Sequence, residues 1–346
     1  MSREKESKIK EIIASSDEAI SQSNSLNNKA GCFIVKPANT WIDEAKRRPI
    51  PRMLFGEFWF EGEVCILFAD TNVGKSILAV QIADSISSGR PIDGFKLEVD
   101  PLKIAYLDFE LSDKQFEKRY SIDYTHHYQF HDNFLRSEID PDLELPKEFK
   151  TIEDFLNHSF STIIEKSDVK VLIIDNITFL NSDNEKAKDA SLIMSHLKKL
   201  KTTYGISILV LAHTPKRNPS NPLTGNDLAG SRMLMNFCDS AFAIGESASE
   251  PDIRYLKQIK QRNTEKIYHD NNVAVCRIAQ PSNFLLFEYI GIGCESEHLR
   301  RIEQKDMESR DAQIFELKKQ NIPNTKIAEQ LGISEGTVRN RIKKNS

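Results

Sequence analysis

Short runs dominated by apolar residues recur at 63–69 (EVCILFA), 103–109 (KIAYLDF), 170–176 (KVLIIDN) and 206–212 (ISILVLA). Each has the length of a strand and lacks polar alternation, so both faces must be covered by other parts of the chain. That pattern predicts a mostly parallel sheet flanked by helices. Segments with helical spacing, such as 76–88 (SILAVQIADSISS) and 190–204, lie between the runs. Three later runs, YLKQIKQ, VAVCRIA and FLLFEYI, are separated by Asn, Asp and Pro and predict an antiparallel extension.

Four stretches follow from this pattern. Residues 1–40 are polar, with a weak helical spacing at Ile9, Ile12 and Ile13, and read as a flexible arm. Residues 41–290 carry the α/β pattern, 291–309 read as a charged linker, and 310–346 as a small helical unit. A chain of 346 residues holds about two domains at ~150 residues each. No apolar run approaches the ~20 residues that span a bilayer, and MSREKESKIK lacks a signal-like apolar region. No membrane partner is expected. The five cysteines form no CxxC pair, which argues against a disulfide framework or zinc site and for a reducing cytoplasm. With 51 acidic and 47 basic residues, any nucleic-acid surface must be local.

The segment Ala69-Asp70-Thr71-Asn72-Val73-Gly74-Lys75-Ser76 follows the first apolar run and opens a helix. A strand, turn and helix in that order turn successive N–H groups and a helix N-terminus toward one point, which suits phosphate. Lys75 would reach the β- and γ-phosphates of ATP, and the Ser76 hydroxyl would hold Mg²⁺. Ala69 stands where a glycine is usual. Asn72 tolerates positive φ, and Gly74 is the glycine beside the phosphates.

Asp175 ends the run KVLIID, placed to bind Mg²⁺ through water; an N-cap aspartate is the plain alternative. Glu110, after KIAYLDF, could orient and deprotonate an attacking water, and equally fits a solvated loop. His213 ends ISILVLA, where a polar residue can sense a γ-phosphate; a satisfied histidine fits as well. His126, His127 and His131 lie in a polar insertion and read as surface residues.

These residues resemble the RecA-like P-loop ATPases, counted among AAA family ATPases, and within them the ring-forming replicative helicases of the DnaB type and the plasmid RepA type. The GKS loop, YLDFELSDKQF, LIIDN, LAHTPK, NDLAGSRMLMNFCDSAFAI and KQIKQRN follow in the family's order over about residues 55–290. The resemblance implies a RecA-like core, with Glu110 as catalytic glutamate, Asp175 as metal aspartate and His213 as sensor. It puts Lys260 and Arg262 on the K-x-R element presented to a neighbouring subunit's nucleotide, with Arg232 a weaker candidate. A solvated strand edge is the alternative for that basic pair. Ala69 and Asn72 depart from the pattern and bear on turnover. The lack of a sizeable N-terminal helical domain bears on primase partnership. A hexameric ring, a homo-oligomer, is implied, acting in plasmid or mobile-element replication with replication or mobilisation proteins as partners.

The stretch RDAQIFELKKQNIPNTKIAEQLGISEGTVRNRIKK predicts three helices. Asn321-Ile322-Pro323 ends the first, Gly332 makes a turn, and Ser334 caps the third, whose Val338 and Ile342 share a face. This spacing is that of a helix-turn-helix, and it resembles the DNA-binding helices of response regulators and resolvases. Eight basic and four acidic side chains in 310–346 make a local surplus. Glu335, Gly336, Arg339, Asn340 and Lys343 would face DNA, with Arg341 and Lys344 reaching phosphates. A protein-docking module is the alternative. The expectation is an ATP- and Mg²⁺-dependent motor on DNA, with a nucleotide-switched DNA-binding regulator, or a degenerate loop without turnover, as rivals.

Overall fold

A computed structural model of the protein describes residues 29–140, 142–177, 188–215, 217–228, 231–300 and 304–344. At 29, 153, 188–192, 231–233, 304–309 and 344 only the backbone is described. The chain divides into two compact units, one up to Pro51 and one from Arg52 to Ser346. In the first unit, Lys29–Ala30 pairs with Phe33–Ile34, and a helix runs over Ala38–Lys46. Elements therefore begin inside the stretch expected to be an arm, the rest of which lies outside the described residues.

The second unit is built on nine strands: β1 (Val64–Ala69), β2 (Ile104–Asp108), β3 (Phe134–Ser137), β4 (Val171–Asp175), β5 (Ser207–His213), β6 (Ser240–Glu246), β7 (Ile253–Lys260), β8 (Val273–Ala279) and β9 (Leu286–Gly293). They lie in the order β9-β8-β7-β6-β1-β5-β4-β2-β3. Pairs from β6 through to β3 are parallel, and β6 to β9 are antiparallel. The fold is α/β, a mostly parallel sheet with helices on both faces. Alternation along each strand explains why apolar runs were needed. In β1, Cys65, Leu67 and Ala69 face one layer while Val64, Ile66 and Phe68 face the other. The first layer contains α1 (Lys75–Ser88) and the aromatic hairpin of Phe55, Phe58 and Trp59. The second contains α3 (Ile152–Ser167), α4 (Lys188–Tyr204) and α5 (Ser231–Phe237). A short α2 (Asp113–Arg119) follows β2, its start fixed by a Ser112 and Gln115 capping box.

The antiparallel extension is clasped to α1. The Gln81 amide donates to Phe287 O at 3.1 Å and accepts from Phe287 N–H at 2.8 Å. Each such bond contributes about 1 kcal/mol, and leaving either group unpaired in the interior would cost more.

The structure corrects the boundary expected at residue 290. Strand β9 continues to Gly293, and a short helix, Glu295–His298, returns Glu295 into the core, where it is 1% exposed. Its carboxylate meets Lys257 Nζ at 2.5 Å, accepts the Leu223 N–H at 2.7 Å, and lies 3.2 Å from the Tyr255 hydroxyl. A charge inside is tolerated once paired and hydrogen-bonded, and composition cannot reveal that pairing. The remaining helices are α6 (Gln304–Lys319), α7 (Asn324–Leu331) and α8 (Glu335–Lys344), so helix also replaces the end of the expected linker. Ile314, Ile327, Ala328 and Val338 form their common core. Gly332, at φ 62°, ends α7, and the Ser334 hydroxyl accepts the Thr337 N–H at 3.1 Å. Among the described residues no helix is long and apolar enough to cross a membrane.

Glu295→Ala is expected to lower stability by about 2 kcal/mol, because it removes the buried one of the two carboxylates on the Lys257 ammonium and leaves only the exposed Asp270. Urea unfolding monitored by circular dichroism checks this, with Lys257→Met/Glu295→Leu expected to recover most of the loss.

Candidate functional site

Parallel register aligns Ala69 with His213 and Asp175 with Asp108, so four strands end along one edge of the sheet. In an open α/β sheet that carboxyl edge is where ligands gather. The turn from β1 to α1 begins there. Asn72 takes φ 64° and Gly74 φ 109°, both left-handed, as a loop needs when it folds its N–H groups inward. A Cβ at residue 74 would stand 2.9 Å from the Phe287 ring and 3.1 Å from Ile278 Cδ1. Only glycine fits between this turn and the far strands. From β7, the buried Arg254 donates through Nε to Val73 O at 3.0 Å and meets Glu246 at 3.1 Å, steadying the turn.

Lys75 is 6% exposed. Its ammonium donates to Ala69 O at 3.0 Å and Asp70 O at 2.9 Å, and lies 3.1 Å from His213 Nδ1. Burial lowers its pKa, while Asp175, Glu110 and Asp70 push the other way. An ammonium can only donate, so His213 Nδ1 accepts and Nε2–H is left to donate to Glu110 Oε1, 3.2 Å away. That bond, then the charge on Lys75 and the Asn176 amide, holds the Glu110 carboxyl below its usual range against the cost of partial burial. Asn176 adds an amide that donates to the same Glu110 oxygen and sits 2.9 Å from His213 Nε2.

The turn carrying Glu110 is set by Asp108, which accepts the N–H groups of Glu110 at 3.1 Å and Leu111 at 2.9 Å. Its other oxygen meets Arg136 Nε at 3.0 Å, and Arg136 also donates to Leu111 O at 2.7 Å. Asp175 is 1% exposed, bonded to the Tyr106 hydroxyl at 2.5 Å and to the Ser76 side chain. Its Oδ1 is buried without a partner. Burial pushes its pKa up to about 6, against the hydrogen bonds from Ser76 and Tyr106. A serine hydroxyl beside a carboxylate with one unsatisfied oxygen is a donor set suited to Mg²⁺, so the residues fit that ion.

The structure thus brings Lys75, Ser76, Glu110, Asp175 and His213 together, with Ala69 through Gly74 in the turn beside them. It does not bring Lys260 or Arg262 there. Lys260 pairs with Ala241, and Ser240 with Cys65, so both basic residues lie at the opposite edge of the sheet. Lys260 donates to Met235 O and Cys238 O at the end of α5, which suits a cation at a helix C-terminus. Arg262 is half exposed and pairs with Asp239 at 3.2 Å. The Arg232 side chain lies outside the described residues. In α8, Gly336, Arg339, Asn340 and Lys343 are exposed, while Glu335 is half-buried and pairs with Arg339 at 2.7 Å. Arg341 is drawn 3.5 Å from Asp311 of α6. The Lys344 side chain lies outside the described residues. His126, His127 and His131 are exposed.

Sequence reasoning missed Asn176, Tyr106, Arg136 and Arg254. Asn176 follows Asp175 directly and could have been found as a polar residue at a strand end. The other three act across strands far apart in the chain.

A family profile described as an AAA domain matches residues 34–219, over half of the chain. No curated protein matches the sequence. Among solved structures, a KaiC-like protein of the hyperthermophilic archaeon Pyrococcus horikoshii OT3 is similar, with 13% identity and a TM-score of 0.45, over 66% of this chain and 90% of that one.

Because the folded pKa of Asp175 lies near 6 and an unfolded aspartate titrates near 4, ionising it opposes folding. The penalty is absent below about pH 4, grows up to about pH 6 and is constant above. Asp175→Asn is therefore expected to raise the stability of nucleotide-free protein by roughly 2 kcal/mol at pH 8 and to leave it little changed at pH 4. Thermal melts at the two pH values check this.

Proposed function

The chain belongs to the AAA-domain family, and on that premise we propose that it is a Mg²⁺-dependent ATPase acting on DNA as a ring-forming motor of the replicative-helicase kind. One observation carries the reading: Lys75, His213 and Glu110 form one hydrogen-bonded line above the Ser76–Asp175 pair. In this mechanism the N–H groups of the 72–76 turn and the start of α1 receive the phosphates of the substrate ATP. Lys75 stabilises charge on the transferred phosphoryl group. Ser76 and Asp175 would hold Mg²⁺, which would supply positive charge against the phosphates when bound. Glu110 orients water for in-line attack and accepts its proton, which its lowered pKa permits at neutral pH. His213 keeps Glu110 aimed and, through its contact with Lys75, registers the γ-phosphate in this reading.

Arg262 lies on the far edge of its own sheet, which supports a role at a neighbour's nucleotide. Lys260, bound to the end of α5, positions that segment in this reading. The helices α6 to α8 act as a helix-turn-helix on DNA, and the exposure of Arg339, Asn340 and Lys343 supports α8 as the face that meets it. Movement on DNA, in plasmid or mobile-element replication, is the process this motor would serve.

The test is the ATPase rate with and without single- and double-stranded DNA, alongside oligomer mass and strand displacement. Lys75→Ala is expected to cost on the order of 10²-fold or more in turnover. Mixing Arg262→Ala with Lys75→Ala subunits should restore hydrolysis that neither variant shows alone, since each supplies the half the other lacks. An absence of nucleotide turnover in wild type would overturn the ATPase. Sequence-specific footprinting without unwinding would replace the motor by a nucleotide-switched regulator.

A further inference from the structure

The loop leaving β5 is fastened to the phosphate loop by side chains that no step above uses. Asp70 is the first residue after β1, and its backbone carbonyl already receives the Lys75 ammonium. Its side chain turns the other way: Oδ1 accepts from the Thr214 hydroxyl, and Oδ2 lies 3.3 Å from Arg217 Nε. The Thr214 N–H donates to Ala69 O at 3.1 Å, so the two loops are joined by backbone as well. Arg217 is almost withdrawn from water, its side chain 9% exposed against 42% for Asp70. The rest of its guanidinium donates to Asn221 O at 2.9 Å and bonds the Tyr255 hydroxyl.

A carboxylate is an unexpected group to place within a turn that receives polyanions. Left bare beside a triphosphate, it would weaken binding by roughly tenfold, through repulsion that water only partly screens. Arg217 sits where it cancels that charge, and a guanidinium remains protonated throughout the physiological range. Its rigid attachment to Asn221 and Tyr255 fixes the cation in place, so the compensation does not depend on a mobile surface side chain.

We propose that Arg217 is a positioning residue that neutralises Asp70 and thereby sets the affinity of the turn for nucleoside triphosphate over diphosphate. This deepens the ATPase reading and rests on it. The preference for triphosphate follows because the additional γ-phosphate charge feels an uncompensated Asp70 most. If Arg217 were instead only a staple between β7 and the loop, its loss would weaken both nucleotides alike, and no change at Asp70 would mend it.

The experiment measures dissociation constants for ATP and ADP, each with Mg²⁺, by competition against a fluorescent ATP analogue. The proteins are wild type, Arg217→Gln, Asp70→Asn and the double variant, with circular dichroism melts of each. Arg217→Gln is expected to weaken ATP about tenfold and ADP less. The double variant should return ATP affinity to within about threefold of wild type. Asp70→Asn alone, which keeps Arg217, should tighten ATP several-fold relative to ADP and serves if Arg217→Gln does not fold. A double variant as weak as Arg217→Gln, equal losses for ATP and ADP, or no tightening in Asp70→Asn would overturn the assignment while leaving the ATPase standing. Wild type that binds neither nucleotide would overturn both.

Discussion

The site depends on register. Four parallel strands stop at one level, and each delivers a different group there: the turn before Lys75 from β1, His213 from β5, Asp175 from β4 and the Asp108–Glu110 turn from β2. Side chains alternate along a strand, so a slip of one residue in β4 or β5 would send its terminal group to the opposite layer. The apolar filling of both layers forbids such a slip, because it would exchange residues between two cores of different shape. Packing far from the edge is thus what positions the polar groups at the edge.

Buried charge is handled differently at different places. Glu295 and Asp108 are both enclosed, and each has its two oxygens engaged by cations, hydroxyls or amides. Asp175 is as enclosed as either, yet its Oδ1 has no hydrogen-bond partner among the described residues. The first two arrangements are complete in the chain itself. The third leaves one oxygen without a partner, which sets Asp175 apart from the two structural carboxylates.

The sheet, its two layers and its antiparallel annex were readable because continuous apolar runs admit few arrangements. Lys75, Ser76, Glu110, Asp175 and His213 were readable as candidates because each stands at the end of such a run. What could not be read was partnership. Asp108 and Arg136 are distant in the chain, as are Val73 and Arg254, and no periodicity joins them. The linker expectation failed for the same reason: Glu295 reads as a solvated charge until Lys257 is found beside it. Arg341 likewise reads as an outward cation, and only the placement of Asp311 turns it aside.

The glycine at 74 has a consequence for anyone wishing to trim or transplant this core. Its cover is Phe287 and Ile278, and its neighbour Val73 is tied to Arg254, all contributed well after the last of the polar groups at the edge. A fragment ending just beyond β5 would carry Lys75, Ser76, Glu110, Asp175 and His213 and still leave the turn unroofed. The smallest portable piece therefore runs through β9, and chimeras should be spliced outside it.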